Sequence, residues 1–200
     1  GQLRPRYERV DENNNLANAN AFTNRLVIGV KADLFSTNWL SGFAQMTDVH
    51  AINDNYNSTD NGQGGNSKVV DPGQTRITQS YLDFKYHKTV FRAGRQIVNL
   101  DNVRFIGSVN WRQMPQSFDA YAVVDNSINN LHLLAAYVTQ VNTVKAGSKN
   151  SFPTSTALLH AQYKFMDAIT LTGYGYLIGS VHNTYGLALT GKSAFSKNIK

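Results

Sequence analysis

The residues of this chain best placed to do chemistry are cations spaced two apart along alternating segments. Arg4 and Arg6 alternate with Leu3, Pro5 and Tyr7, and Glu8 continues their side. Between Phe22 and Leu34, Thr23, Arg25, Lys31 and Asp33 share one parity, while Phe22, Leu26, Ile28, Val30, Ala32 and Leu34 share the other. Lys85, Arg92 and Lys164 stand in similar stretches, with Asp83 and Asp119 as acids on the same expected face. Alternation of this kind places residues on opposite sides of a β-strand. A wall of fixed positive charge concentrates anions, and arginine grips a carboxylate or phosphate through two parallel hydrogen bonds. Arg4, Arg6, Arg25, Lys31, Lys85, Arg92 and Lys164 are therefore the expected cationic lining of a polar cavity. The plainer alternative is that the interspersed acids neutralise the wall and the mixed charges only keep it wet.

Other chemistries find little support. The chain has no cysteine, which excludes a disulfide scaffold and a thiolate metal site. His50, His132, His160 and His182 are scattered, no Gly-x-Ser-x-Gly elbow occurs, and Asp48 with His50 is the one close acid–histidine pair. His160, two and four residues before Gln162 and Lys164, reads as lining. Asp54, Asp60 and Asp71 lie in an Asn- and Gly-rich stretch without the spaced acids and closing glutamate of a calcium loop, so a surface loop is expected there. Phosphate-cradling and dinucleotide fingerprints are absent, and the basic residues are not massed with aromatics on one face as in a nucleic-acid binder. No enzyme activity, metal, cofactor or nucleic-acid partner is expected.

The elements that must position these cations form an antiparallel all-β meander of about ten strands: Gln2–Val10, Phe22–Leu34, Gly42–His50, Thr75–Tyr86, Thr89–Val98, Phe118–Val124, Leu131–Val141, Ala157–Phe165, Ile169–Ile178 and Thr184–Thr190. Their connections alternate. Residues 11–21, 52–74, 99–117 and 142–156 are long; 36–40, 87–88, 125–130 and 166–168 are short; only 180–183 breaks the rhythm. Terse turns at one end and long loops at the other are the signature of an outer-membrane barrel, with the amino terminus on the periplasmic side. The mean hydropathy of −0.35 does not oppose this, because only every second strand residue faces lipid. Aromatics near strand ends, such as Tyr7, Phe35, Trp39, Tyr86, Phe91, Phe118, Phe165 and Tyr185, fit interfacial girdles.

Two positions need more than alternation. Arg95 shares parity with Phe91 and Ala93, and a charge facing lipid at mid-depth costs about 2–4 kcal/mol. A bulge at Gly94 that turns Arg95 into the lumen is expected, with a place near the rim as the alternative. Arg104, Trp111 and Arg112 make the loop 99–117 unusually basic and aromatic, and its inward folding would make them a constriction; an exposed loop tip is the alternative.

Several blocks in order resemble a known family. They are Gly94-Arg95-Gln96, Asn99-Leu100-Asp101-Asn102, Arg104-Phe105-Ile106-Gly107, Trp111-Arg112-Gln113 and Gln116-Ser117-Phe118-Asp119-Ala120. Leu3-Arg4-Pro5-Arg6-Tyr7-Glu8, Asn20-Ala21-Phe22-Thr23-Asn24-Arg25 and Asp54-Asn55-Tyr56-Asn57-Ser58-Thr59 join them. Together they are similar to the alginate-export-type family of outer-membrane porins. The resemblance implies a Gram-negative outer-membrane barrel with a polar lumen, surrounded by lipid and lipopolysaccharide and passing small anionic or polysaccharide solutes. Family barrels run to roughly twice this length. Residues 1–200 are accordingly expected to be one barrel domain that continues past Phe195-Ser196-Lys197-Asn198-Ile199-Lys200, and a homo-oligomer is compatible with it. Gly1-Gln2-Leu3-Arg4 lacks an apolar leader, as in a processed exported chain.

The leading expectation is a channel for passive passage of small hydrophilic, anionic solutes. A soluble all-β ligand-binding domain, or a surface or adhesion protein acting through its long loops, are the alternatives. A soluble sandwich would bury the apolar faces in a closed core.

Overall fold

The computed structural model describes residues 1–191, which form a single ten-stranded sheet; the expected turn and strand start near the C-terminus lie outside the described residues. The strands are β1 (Gln2–Val10), β2 (Ala19–Asp33), β3 (Leu40–Ala51), β4 (Gln74–Tyr86), β5 (Thr89–Gln96), β6 (Ser117–Asp125), β7 (Leu131–Asn142), β8 (Ser151–Met166), β9 (Ile169–Ile178) and β10 (His182–Gly191). Each pairs antiparallel with the next, in chain order. Among the described residues, β1 and β10 do not pair with each other, so the sheet is open at both edges. Among the described residues no helix is long and apolar enough to cross a membrane.

Because cross-strand partners point to the same side, the register defines two faces. Arg4 lies opposite Arg25, Asp83 opposite Arg92, and Arg92 opposite Ala122; His160 lies opposite both Leu134 and Tyr174. This is the inner face. The other carries large apolar side chains left bare: Ile28, Val30, Leu82, Tyr121, Leu159, Tyr185 and Leu187, with Leu187 81% exposed. A sheet stable in water does not leave its apolar face uncovered while covering its charged one. Lipid is the solvent that makes this arrangement favourable, and the antiparallel ladders pair the strands' backbone within the sheet. Towards the short-turn end, Trp39 meets Phe84 edge-on at 5.5 Å and Phe84 meets Phe91 at 6.1 Å, as in an interfacial girdle.

The inner face is not uniform. On β1–β5 it carries charged and hydroxyl groups. On β6–β8 it carries Phe118, Ala120, Ala122, Ala136, Val138 and Leu158, which cluster with Val98, Leu100 and Ile106 of the connection between β5 and β6. The apolar side of β6 thus faces inward, and Asp119, expected on the lumen wall, shares the outward side with Tyr121. Residues 97–116 explain this inversion: they bring their own apolar side chains to cover that part of the wall.

Candidate functional site

Residues 97–116 leave the end of β5, cross the inner face and return to β6, and they are fastened at two places. We call this segment the strap. At the first anchor, Asp101 accepts from Gln162 Nε2 at 3.2 Å and meets His160 Nε2 at 2.9 Å, while the Phe105 ring lies 6.4 Å from that of Tyr174 on β9. Asp101, Val103 and Val109 hold positive φ angles of 51°, 57° and 50°. Such backbone is uncommon for any side chain and costly for valine, so the surrounding contacts must impose it.

The second anchor is an arginine cluster on β1 and β2. Arg4 and Arg25 face each other across the ladder, an arrangement that like charges disfavour. The strap supplies the acceptors that offset the repulsion. Arg4 donates to Gln113 Oε1 and the Asn110 carbonyl, both at 2.9 Å, and to the Arg112 carbonyl. Arg25, only 3% exposed, donates to Asn110 Oδ1 at 2.9 Å, the Gln113 carbonyl at 3.3 Å and Gln2 Oε1 at 2.5 Å. Gln113 is fully buried and donates from Nε2 to Thr23 Oγ1 at 2.9 Å.

The loop between β3 and β4, residues 52–73, completes this anchor. Tyr56, Val69, Ala19 and Ala21 form a small buried cluster that folds the loop over the end of β2. Tyr56 donates its hydroxyl to the Asp71 carbonyl at 2.9 Å, and burial first, then Asp71 and Asp54, push its pKa up to about 12. Asp71 is nearly fully buried, accepts the Gln113 N–H at 2.7 Å, and pairs with Arg6 at 3.1 Å and Arg112 at 3.7 Å. Glu8 pairs with Arg6 at 2.5 Å and with Arg112 at 3.2 Å. Arg6 and Arg112 thus share the two carboxylates, while Arg4 and Arg25 bond to the strap's amides and carbonyls.

The other sequence-derived candidates fall into three groups. Lys31, Lys85, Arg92 and Lys164 lie on the inner face by register. Arg92 grips Asp83 through two bonds, at 2.6 and 2.8 Å, and stacks 3.8 Å over the Tyr81 ring; Lys164 pairs with Asp167 at 2.8 Å. The hydrogen bond from Lys164, and then its charge, hold the turn carboxylate of Asp167 below the usual range. Among the described residues, Lys31 and Lys85 have no carboxylate within ion-pair distance. In the strap, Trp111 is 61% exposed and Arg112 sits 5.6 Å from its ring centre, while Arg104 is exposed.

Arg95 is a correction. No register shift occurs at Gly94 in either ladder, so Arg95 keeps the parity of Phe91 and points to the outward side. Gly94 absorbs the strain in its own backbone, at φ 127°, where an added Cβ would lie 2.3 Å from the Ser80 carbonyl oxygen. The outward charge is met instead by Asp119, which takes two bonds from Arg95 at 2.7 and 3.0 Å, and by the Ile77 carbonyl. Sequence reasoning also missed Gln113, Asn110, Asp71 and Asp101, because neutral or isolated polar residues in a loop give no signal of the wall they will meet. No hydrogen bond joins Asp48 to His50; Asp48 accepts from the Thr75 hydroxyl. Among the described residues no group of three or more histidine or acidic residues could hold a metal ion.

An antiparallel meander with one face clad in lipid-compatible side chains and the other strapped by a long loop defines the wall of an outer-membrane β-barrel. The alginate export family model matches residues 1–175, and the chain belongs to that family. It is an outer-membrane protein of the Gram-negative type. Among solved structures it is similar to Acinetobacter baumannii OccAB3, with 15% identity over 98% of this chain and 53% of that one and a TM-score of 0.77. It is similar to the Pseudomonas aeruginosa outer membrane protein OpdK, with 14% identity over 97% and 51% and a TM-score of 0.75. It also matches Pseudomonas aeruginosa OccD3 (OpdP), with 18% identity over 94% and 42% and a TM-score of 0.66. These identities establish the shared barrel fold alone. The chain spans about half the length of these porins. No curated protein sequence matches it.

Proposed function

We propose that the full-length protein is a passive channel for small hydrophilic, predominantly anionic solutes, and that the strap forms its constriction. The ten strands would be part of a single barrel domain completed by further strands at the open edges. The observation that carries this reading is the fastening of residues 97–116 at two places on the inner face; in a closed barrel a loop held there would narrow the passage. The loop holds its cations and aromatics, Arg104, Trp111 and Arg112, over the path.

The cations do not all act alike. Arg25 is buried beneath the strap and Arg4 donates three bonds to strap acceptors, so their role is to hold the constriction. Lys31, Lys85 and Arg104 are the groups left to attract solute anions. The structurally similar proteins are porins, which supports transport rather than catalysis. The test is reversal potential across a planar bilayer holding the full-length protein in a salt gradient. Anion preference that weakens when Lys31 and Lys85 are both changed to Glu is the expected result. Cation preference in the unmodified protein would refute the anionic reading while keeping the channel.

A further inference from the structure

We infer that the channel wall contains a subsite for compact monoanions with an apolar body, on the short-turn side of the strap; this rests on the channel reading above. A cavity of about 400 Å³ opens there between the start of the strap and the inner faces of β4–β7. Its volume falls in the range of small-molecule sites. Its two sides differ in chemistry. One is formed by Val90, Val124 and Leu134, backed by Ala122 and Ala136, and is apolar although it faces the polar passage. The other carries Lys85 and the Arg92–Asp83 pair.

Arg92 already has its carboxylate, and its plane rests on Tyr81, so its charge is matched in place. Lys85 has no carboxylate within ion-pair distance among the described residues and borders the same space. An apolar wall beside one unmatched ammonium is complementary to a single negative charge joined to a ring or short hydrocarbon. A small hydrophilic anion leaves the valine and leucine surface unmatched. A polyanion brings more charge than one free lysine and a matched Arg–Asp pair can meet. Apolar contact draws the body out of water, and the lysine fixes which end leads.

The test is made with the full-length protein in a planar bilayer in potassium chloride, with cyclohexanecarboxylate added and current blockade recorded. Acetate supplies the charge without the body, and cyclohexanemethanol supplies the body without the charge. Cyclohexanecarboxylate should block at least about tenfold more tightly than either. Leu134→Asn should erase the preference over acetate, and Lys85→Gln the preference over cyclohexanemethanol. A merely structural defect would lower both ratios together. Equal blockade by cyclohexanecarboxylate and acetate, or ratios indifferent to both substitutions, would overturn the subsite. Absence of any potassium chloride conductance would instead refute the channel. Calorimetric titration of the folded protein in detergent then decides the subsite: binding weakened by Lys85→Gln supports it, and no binding overturns it.

Discussion

Changing Arg25 to Met tests whether the arginine cluster is a clamp or a solute contact. Methionine keeps the unbranched stem and removes only the guanidinium. The strap then loses the bonds to Asn110 Oδ1 at 2.9 Å and to the Gln113 carbonyl at 3.3 Å. A bond from a charged donor contributes about 1.5–3 kcal/mol, and the longer contact belongs at or below the low end. Against this, removing a charge that is 3% exposed returns its desolvation penalty and ends its repulsion with Arg4. A net loosening of about 2 kcal/mol remains, because the three bonds from Arg4 persist. That corresponds to about a thirtyfold rise in the opening constant of this end of the strap. Hydrogen–deuterium exchange of the folded protein in detergent reads it directly: amides of residues 108–116 should exchange about thirty times faster. Residues 98–106, held by His160 and Gln162, should change little. Single-channel currents should show added open-state noise. A folded Arg25→Met protein with unchanged exchange in residues 108–116 would refute the clamp.

The outward pair gives a second expectation. Asp119→Leu leaves the Arg95 guanidinium without its carboxylate beside Phe91 and Tyr121, and should cost about 1–2 kcal/mol more than the double change of Asp119 and Arg95 to Leu, measured by urea unfolding in vesicles. Gly94→Ala should destabilise the barrel by about 1–3 kcal/mol from its backbone angle alone, with the Ser80 contact adding to that, in the same assay. Tyr56 should titrate late, because burial first, then Asp71 and Asp54, hold its phenol protonated. Its raised pKa means that its contribution is fully present below about pH 10, where the unfolded phenol stays neutral. That contribution is lost as pH rises towards about 12. Tyrosinate absorbance near the top of the titration should fall by one group in Tyr56→Phe.

Strand placement was legible because a lipid-facing strand must alternate over a length that few soluble strands reach. β1 and β9 match their sequence-derived bounds at both ends, and the others differ by a few residues, β8 most, where Pro153 and four hydroxyl residues concealed its first half. The inner face of β2 was legible for the same reason. The inner face of β6 was not. Phe118, Ala120, Ala122 and Val124 read as a lipid-facing set, and alternation alone cannot tell lipid from a strap that carries Val98, Leu100 and Ile106. Arg95 misled in the opposite sense. A lone charge on an apolar parity suggested a bulge, whereas a partner one strand away, Asp119, makes the regular ladder tolerable. The loop's basic and aromatic content pointed to inward folding, but its fastening by Asn110, Gln113 and Asp101 depends on contacts a hundred residues apart in β1 or about sixty apart in β8.

The central claim is that Ile28, Leu82 and Leu187 face lipid while Lys31, Lys85 and Lys164 face a water-filled passage. Spin labels introduced singly at these six positions of a cysteine-free full-length protein in lipid vesicles test it. Collision with oxygen should dominate at the first three, and collision with a water-soluble nickel complex at the second three. Equal nickel access on both faces, or a reversed pattern, would contradict the account.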